Sequence, residues 1–289
     1  MPKNKEIYTQ FMKLSIITIN FNDAQGLEKT IQSVINQTYK DFEYIVVDGA
    51  SKDGSVDVIK KYSDKLTHWV SEPDTGIYNA MNKGTRMASG EYCLYLNSGD
   101  FLAGSDVLEK AFSNNFTEDI VSCTCFSFDE KHEWLKTPPT NVSLFTFIGG
   151  SLPHPTTFIK RELINRLGGY REEYRIMSDW CFFLDAMIIH NCSYRTLDIV
   201  LSKFNCFGIS STSAYTETAK TTIYLKERFP RILEDYAPYK DEAVYNVLQW
   251  VQTHHIIKKI ILFPFKILNR LLKLRNKLGN RIGVIIKKQ

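Results

Sequence analysis

Residues 13–37 read KLSIITINFNDAQGLEKTIQSVINQ. The first nine form a nearly continuous apolar run rich in β-branched side chains, the pattern of a strand buried on both faces of a parallel sheet. Asn22 or Asp23 can then cap a helix whose Leu27, Ile31, Val34 and Ile35 fall on one face. A strand running straight into an amphipathic helix is the opening half of a βαβ unit, so the fold turns on whether the unit repeats.

The unit occurs three times in succession. FEYIVVDGAS (42–51) is a second strand ending in a polar turn, followed by a short helix around Val58 and Ile59. LTHWVSE (66–72) reads as a third strand, IYNAMNKGTRMA (77–88) as a helix with Ile77, Ala80, Met81, Gly84 and Met87 on one face, and GEYCLYLNSGD (90–100) as a fourth strand. Strands alternating with helices in this way predict an α/β fold built on a mostly parallel sheet.

Sheets of this kind bind ligands beyond the carboxyl ends of their strands. Here those ends carry Asn20 and Asn22, Asp48 and Ser51, Glu72 and Asp74, and Asn97 and Asp100. Such residues are also what ordinary turns are made of; their recurrence at four strand ends is what points to a site. The turn NFNDAQG after the first strand satisfies neither the dinucleotide GxGxxG pattern nor the P-loop. A diphosphate bound here must therefore be met by a metal ion, by Lys83 or Arg86, or by a helix N-terminus.

Composition sets the outer limits. With 289 residues, 44% of them apolar and 13% aromatic, the chain can bury one main core with appendages. Its six cysteines show no CxxC pair, as expected of reduced thiols in a cytosolic protein. The start, MPKNKEIYTQF, lacks the apolar core of a signal peptide. No uninterrupted apolar run reaches the ~18 residues of a membrane-spanning helix. No acid follows Glu242, while ten Lys and Arg residues do, leaving the rest of the chain with 26 basic against 32 acidic side chains. An acidic body carries a basic tail, and no nucleic-acid recognition motif accompanies it, so no nucleic-acid partner is expected.

The blocks SIITINFN, QSVINQTYKDFEYIVVDGASKDGS, EPDTGIYNAMNKG, ASGEYCLYLNSGD and MSDWCFFL, in this order and spacing, resemble glycosyltransferase family 2, inverting enzymes of the GT-A fold, in a subgroup acting in bacterial surface polysaccharide synthesis. The resemblance runs from about Lys13 to about Ser211. It implies a GT-A fold, with a Rossmann-like central sheet flanked by helices. It also implies a nucleotide-sugar donor, usually a UDP-sugar, a divalent cation (Mg²⁺ or Mn²⁺), and transfer to an acceptor hydroxyl with inversion. Residues 1–125 would be the nucleotide-sugar-binding half, 126–220 the acceptor-binding and catalytic half of the same domain, and 221–289 a C-terminal helical segment with a basic amphipathic tail.

Carried over by position, the resemblance assigns base and ribose contacts to Asn20, Phe21, Asp48 and Ser51, and the donor side near ribose and diphosphate to Asp74 and Lys83. It also puts the donor-and-metal motif at Asn97-Ser98-Gly99-Asp100. That motif departs from the usual Asp-Ser-Asp-Asp, and Gly49 stands where many members have a second Asp. Asp100 would anchor the cation, since Mg²⁺ is commonly held by one or two carboxylates with water and phosphate oxygens. Asp179 would be the general base that takes the acceptor's proton. Weaker candidates for the acceptor or diphosphate are His154, Trp180, which either packs or contacts the acceptor sugar, and Ser210, in a polar segment suited to close over the donor.

The expected acceptor is a lipid-linked or growing oligosaccharide. In the tail, Ile267, Leu271, Leu274, Leu278 and Ile282 recur at helical spacing beside Lys266, Arg270, Lys273, Lys277 and Arg281, the pattern of a helix lying on an anionic membrane surface. The expected location is cytoplasmic, peripheral on the inner face of the cell membrane, and a homodimer is compatible with this reading. The thinned metal motif also admits a non-catalytic nucleotide-sugar-binding protein.

Overall fold

The computed structural model describes residues 13–129, 132–206 and 217–232. The basic tail and Ser210 lie outside the described residues, as do the expectations attached to them. The chain divides into two compact units, Met1–Ile223 and Tyr224–Gln289; the architecture below is that of the first.

Its N-terminal half follows the alternation read from the sequence: β1 (Leu14–Asn20), α1 (Ala24–Ile35), β2 (Phe42–Asp48), α2 (Ser55–Lys61), β3 (His68–Ser71), α3 (Ile77–Met87) and β4 (Tyr92–Tyr95). All seven residues of β1 are buried, which explains why the run is apolar without alternation. Asp23 caps α1, its carboxylate accepting the Gly26 amide at 2.9 Å. Leu14, Ile16, Tyr44, Val46, Tyr92 and Leu94 form one core with Leu27, Ile31 and Val34 of α1 and Ile59 of α2. Alternate strand residues face the other way, toward α3, where a Cβ on Gly84 would stand 2.4 Å from Ile17 Cγ2. The glycine is what allows α3 to lie that close to the sheet.

Next come β5 (Phe101–Leu102), α4 (Val107–Phe112), β6 (Ile120–Phe128), β7 (Glu133–Lys136), α5 (Leu144–Gly149), β8 (Thr157–Lys160), α6 (Arg161–Arg166), α7 (Ser178–Leu184) and β9 (Tyr194–Asn205). The sheet order is β3-β2-β1-β4-β8-β6-β9-β5, with β7 paired to β6. From β3 through β4 every pairing is parallel. Beyond β4 the sheet is mixed: β8 runs antiparallel to both β4 and β6, β9 is parallel to β6, β5 is antiparallel to β9, and β7 is antiparallel to β6. The parallel expectation thus describes the first half, and the whole is a mixed α/β sheet flanked by helices, compatible with the GT-A fold that the resemblance implies. Strand β6 runs through position 125, so the two expected halves share one sheet. The six cysteines carry thiols rather than disulfides, five of them buried. Among the described residues no helix is long and apolar enough to cross a membrane.

Candidate functional site

The parallel register brings the strand ends into line. Asn20 pairs with Asp48 on the last rung of β1 and β2, and the Asn20 amide donates to Asp48 Oδ1 at 2.7 Å. Asp48 is fully buried and also accepts from Ser51 Oγ at 2.6 Å, Ser71 Oγ at 2.6 Å and the Ser51 amide at 3.0 Å. Burial pushes its carboxyl up, but these bonds outweigh it and hold the group below the ordinary value, so it is ionised at neutral pH. Ala50 takes a left-handed conformation, φ 61°, which turns Ser51 back onto Asp48 and lets its hydroxyl also receive the Asn22 amide at 2.8 Å. Held this way, Asp48 positions the turn, while the Phe21 ring, 65% exposed, stands in the open beside it.

Gly49 has a structural reason. A Cβ there would stand 2.6 Å from Asp74 Oδ2 and 3.1 Å from the Phe21 ring, so Asp74 occupies the room a side chain at 49 would need. Asp74 itself accepts the Gly76 amide at 3.0 Å. Lys83 braces this loop, donating to the Pro73 carbonyl at 2.8 Å and pairing with Glu72 at 2.8 Å.

The Asn97–Asp100 turn lies beside the end of β1, with the Ser98 amide donating to the Ile19 carbonyl at 3.0 Å. Gly99, at φ 90°, makes the turn, and Thr30 of α1 holds it, receiving the Gly99 amide at 3.1 Å and donating to the Asp100 carbonyl at 2.6 Å. Asp100 is 4% exposed, and its carboxylate accepts the Asn205 amide at 3.2 Å. Burial pushes this carboxyl up to about 8; the Asn205 amide opposes the shift and the charge of Asp23 adds to it. Asn97 Oδ1 is buried with no partner among the described residues, and so is Asn20 Oδ1.

A divalent cation fits this set. A buried acid with a second acid beside it and an orphaned amide oxygen in the same turn are hard oxygen donors short of positive charge. Among the described residues no group of three or more His, Cys, Asp or Glu side chains could hold a metal by itself, so phosphate oxygens or water would have to complete the shell.

Asp179 stands in the first turn of α7, and the Tyr78 hydroxyl of α3 shares its one proton between Asp179 Oδ1, at 2.8 Å, and the Ile176 carbonyl. Burial first, then the Asp179 charge, push the Tyr78 phenol well above its ordinary value, so it remains a donor. Tyr78 also lines a pocket of about 240 Å³, with the rest of 75–79 at the α3 entrance and with Glu172, Glu173, Tyr174 and Arg175.

His154 is placed differently from the sequence expectation, while Trp180 takes the packed one of its two expected roles. His154 is buried, its ring stacked on Tyr95 with centroids 5.1 Å apart and its Nε2 2.8 Å from the Tyr170 hydroxyl. Burial lowers its pKa, with Asp179 opposing, so it is a neutral core side chain rather than a loop histidine reaching outward. Trp180 is 8% exposed, and its indole donates to the Phe147 carbonyl at 3.0 Å. The sequence reading gave Asp23 only a capping role and missed Thr30, Tyr78 and Asn205. Tyr78 and Asn205 meet the site across more than 100 positions, where no local pattern records the contact.

Comparison with known proteins supplies the wider context. The Glycosyl transferase family 2 profile matches residues 15–186. An uncharacterized glycosyltransferase of Mycobacterium tuberculosis is 33% identical over 249 residues, 82% of this chain and 94% of that protein. Among solved structures, S. aureus TarS 1–349 in complex with UDP-GlcNAc superposes with a TM-score of 0.58 at 22% identity, covering 71% of this chain and 62% of that one. The mannosyltransferase PcManGT of Pyrobaculum calidifontis, in complex with GDP-Man and Mn²⁺, gives 0.52 at 20% identity, covering 68% and 57%. The chain thus spans less than two thirds of each solved structure.

Proposed function

Because the chain belongs to glycosyl transferase family 2, we propose that it moves a sugar from a UDP-sugar to a hydroxyl of a lipid-linked or growing bacterial surface polysaccharide, with inversion at the anomeric carbon. The observation that carries this reading is the pairing of two separate polar constellations: the aligned strand ends at Asn20, Asp48, Ser51 and 97–100, and the acid Asp179 held by Tyr78 at the start of α7. The fold shared with TarS, solved with UDP-GlcNAc, supports a nucleotide-sugar donor.

In this mechanism the nucleoside lies against Phe21 and the turn organised by Asp48, with Asp74 and Lys83 bounding the donor side. Asp179 takes the proton of the acceptor hydroxyl as its oxygen attacks the anomeric carbon, and the bond from that carbon to the diphosphate oxygen breaks. Asp100, Asp23 and Asn97 would hold Mg²⁺ or Mn²⁺, which would supply positive charge to stabilise the leaving diphosphate. The buried His154 and Trp180 support the catalytic wall by packing. The basic tail would hold the enzyme at the inner face of the cell membrane, where lipid-linked acceptors are presented.

The test is a panel of UDP- and dTDP-sugars with Mg²⁺ or Mn²⁺, read by release of nucleoside diphosphate. Release of UDP from one donor, slowed roughly 10²-fold or more by Asp179→Asn, is expected. Binding of UDP without turnover of any donor would favour a non-catalytic nucleotide-sugar-binding protein, the reading that the single acid of the 97–100 motif also admits.

A further inference from the structure

The turn that delivers Asp179 is gripped by a residue far along the chain. Glu217 is 5% exposed, and its carboxylate receives three successive backbone amides, from Arg175 at 2.9 Å, Ile176 at 2.8 Å and Met177 at 3.2 Å. Lys220 adds a fourth donor at 3.0 Å. Consecutive amides converging on one anion form a nest, and here the nest immediately precedes α7, whose N-terminal Met177 makes no side-chain cap of its own. Burial pushes the Glu217 carboxyl up, but the Arg175 and Ile176 amides and Lys220 outweigh it, so the group stays charged at neutral pH.

What the clamp holds is the base and the pocket wall together. Asp179 lies two residues beyond the last clamped amide, and the turn's outer part, 172–175, lines the 240 Å³ pocket. The Tyr78 hydroxyl reaches the Ile176 carbonyl in the same turn and Asp179 itself, so α3 supports the turn's carbonyl while Glu217 supports its amides. With both sides of the peptide held, the angle at which α7 presents its first acid is fixed.

We propose that Glu217 is the positioning residue of the general base, setting the 175–177 turn so that Asp179 meets the acceptor hydroxyl. This rests on the assignment of Asp179 as the base. A carboxylate displaced by about 1 Å can cost on the order of 10²-fold in rate, whereas the donor, bound at the strand ends, is untouched by the clamp.

Glu217→Gln is nearly isosteric but sets an NH₂ group against a backbone N–H. In the wild type, amide hydrogen exchange is expected to show 175–177 protected. In the variant, exchange quickens across 172–180 and stays unchanged in β1 to β4, and UDP binding with Mn²⁺, measured by calorimetry, stays within about twofold. The turnover rate of the donor identified by the panel falls roughly 10- to 100-fold at unchanged donor KM. In an Asp179→Asn background the same change adds no further loss, which separates positioning from a general loss of stability. A variant turning over within about twofold of wild type, or losing the same factor in the Asp179→Asn background, overturns the proposal. Should no donor in the panel turn over, the transfer reading fails instead, and the clamp is judged by exchange alone: unprotected 175–177 amides in the wild type overturn it.

Discussion

Tyr78 and Asp179, 101 positions apart, are joined by a hydrogen bond of 2.8 Å from the phenol to Oδ1. The phenol engages one carboxylate oxygen, and in the proposed mechanism the incoming hydroxyl meets the other. Asp179→Asn should lower the transfer rate roughly 10²-fold or more while leaving UDP affinity nearly unchanged, because a base acts on the acceptor. Tyr78→Phe keeps the ring in place and should cost on the order of tenfold in the same assay. Near-normal rates in the Asn variant would remove Asp179 from the mechanism.

Asp100→Ala is expected to weaken both Mn²⁺-dependent UDP binding and catalysis, and EDTA should reproduce the effect in the wild type. Calorimetry of UDP with and without the ion checks the first and product release the second. Activity indifferent to both chelator and substitution would show that the 97–100 motif works without metal.

Glu43, 2% exposed at the start of β2, accepts from Ser15 Oγ at 2.5 Å, the Ser89 amide at 2.5 Å and the Gly90 amide at 3.0 Å. Burial pushes its carboxyl up, yet these bonds bring it below the ordinary value of 4.5. A depressed carboxyl contributes stability that is present above its unfolded value and is lost as pH falls through the folded one. Glu43→Gln should therefore cost about 1–3 kcal/mol at pH 7, and the gap to wild type should narrow below the ordinary value of 4.5. Denaturant melts at neutral and acidic pH measure it; an equal gap at both would contradict the assignment.

Deleting the residues after Thr253 should leave a folded enzyme that acts on a soluble acceptor analogue but no longer sediments with anionic liposomes. Each Lys or Arg near such a surface is worth about 1 kcal/mol, so half of the tail's ten would suffice. Salt at ~0.5 M should weaken binding of the full chain. Equal sedimentation of the two forms would sink the proposal.

The first half of the fold was legible because its signals are local. The apolar run of β1, the Asp23 cap and the spacing of Leu27, Ile31 and Val34 all lie within two dozen residues. The second half was not: β8 is four residues long and β9 is half-buried with a register shift opposite Cys123 and Thr124, so neither carries a clean period. In the site, strand-end residues could be read from position alone. The burial of His154 depends on Tyr95, Tyr170 and Phe183, drawn from three other segments, and the role of Glu217 depends on amides some 40 positions away.

Strands β1 and β2 carry polar pairs near both ends, Ser15 with Glu43 on the second rung and Asn20 with Asp48 on the seventh. Five residues separate them, an odd number, so the two pairs project from opposite faces of the sheet. Sliding one strand past the other by a single residue would carry each acid away from its partner and turn it into the apolar layer on the wrong side. The two strands therefore work as a vernier with a mark at each end, and only one alignment satisfies both. Chain-length changes are accordingly expected to be tolerated in the 36–41 connection but not between Ile16 and Ile19, where a single inserted residue would leave one mark aligned and misplace the other by a full rung.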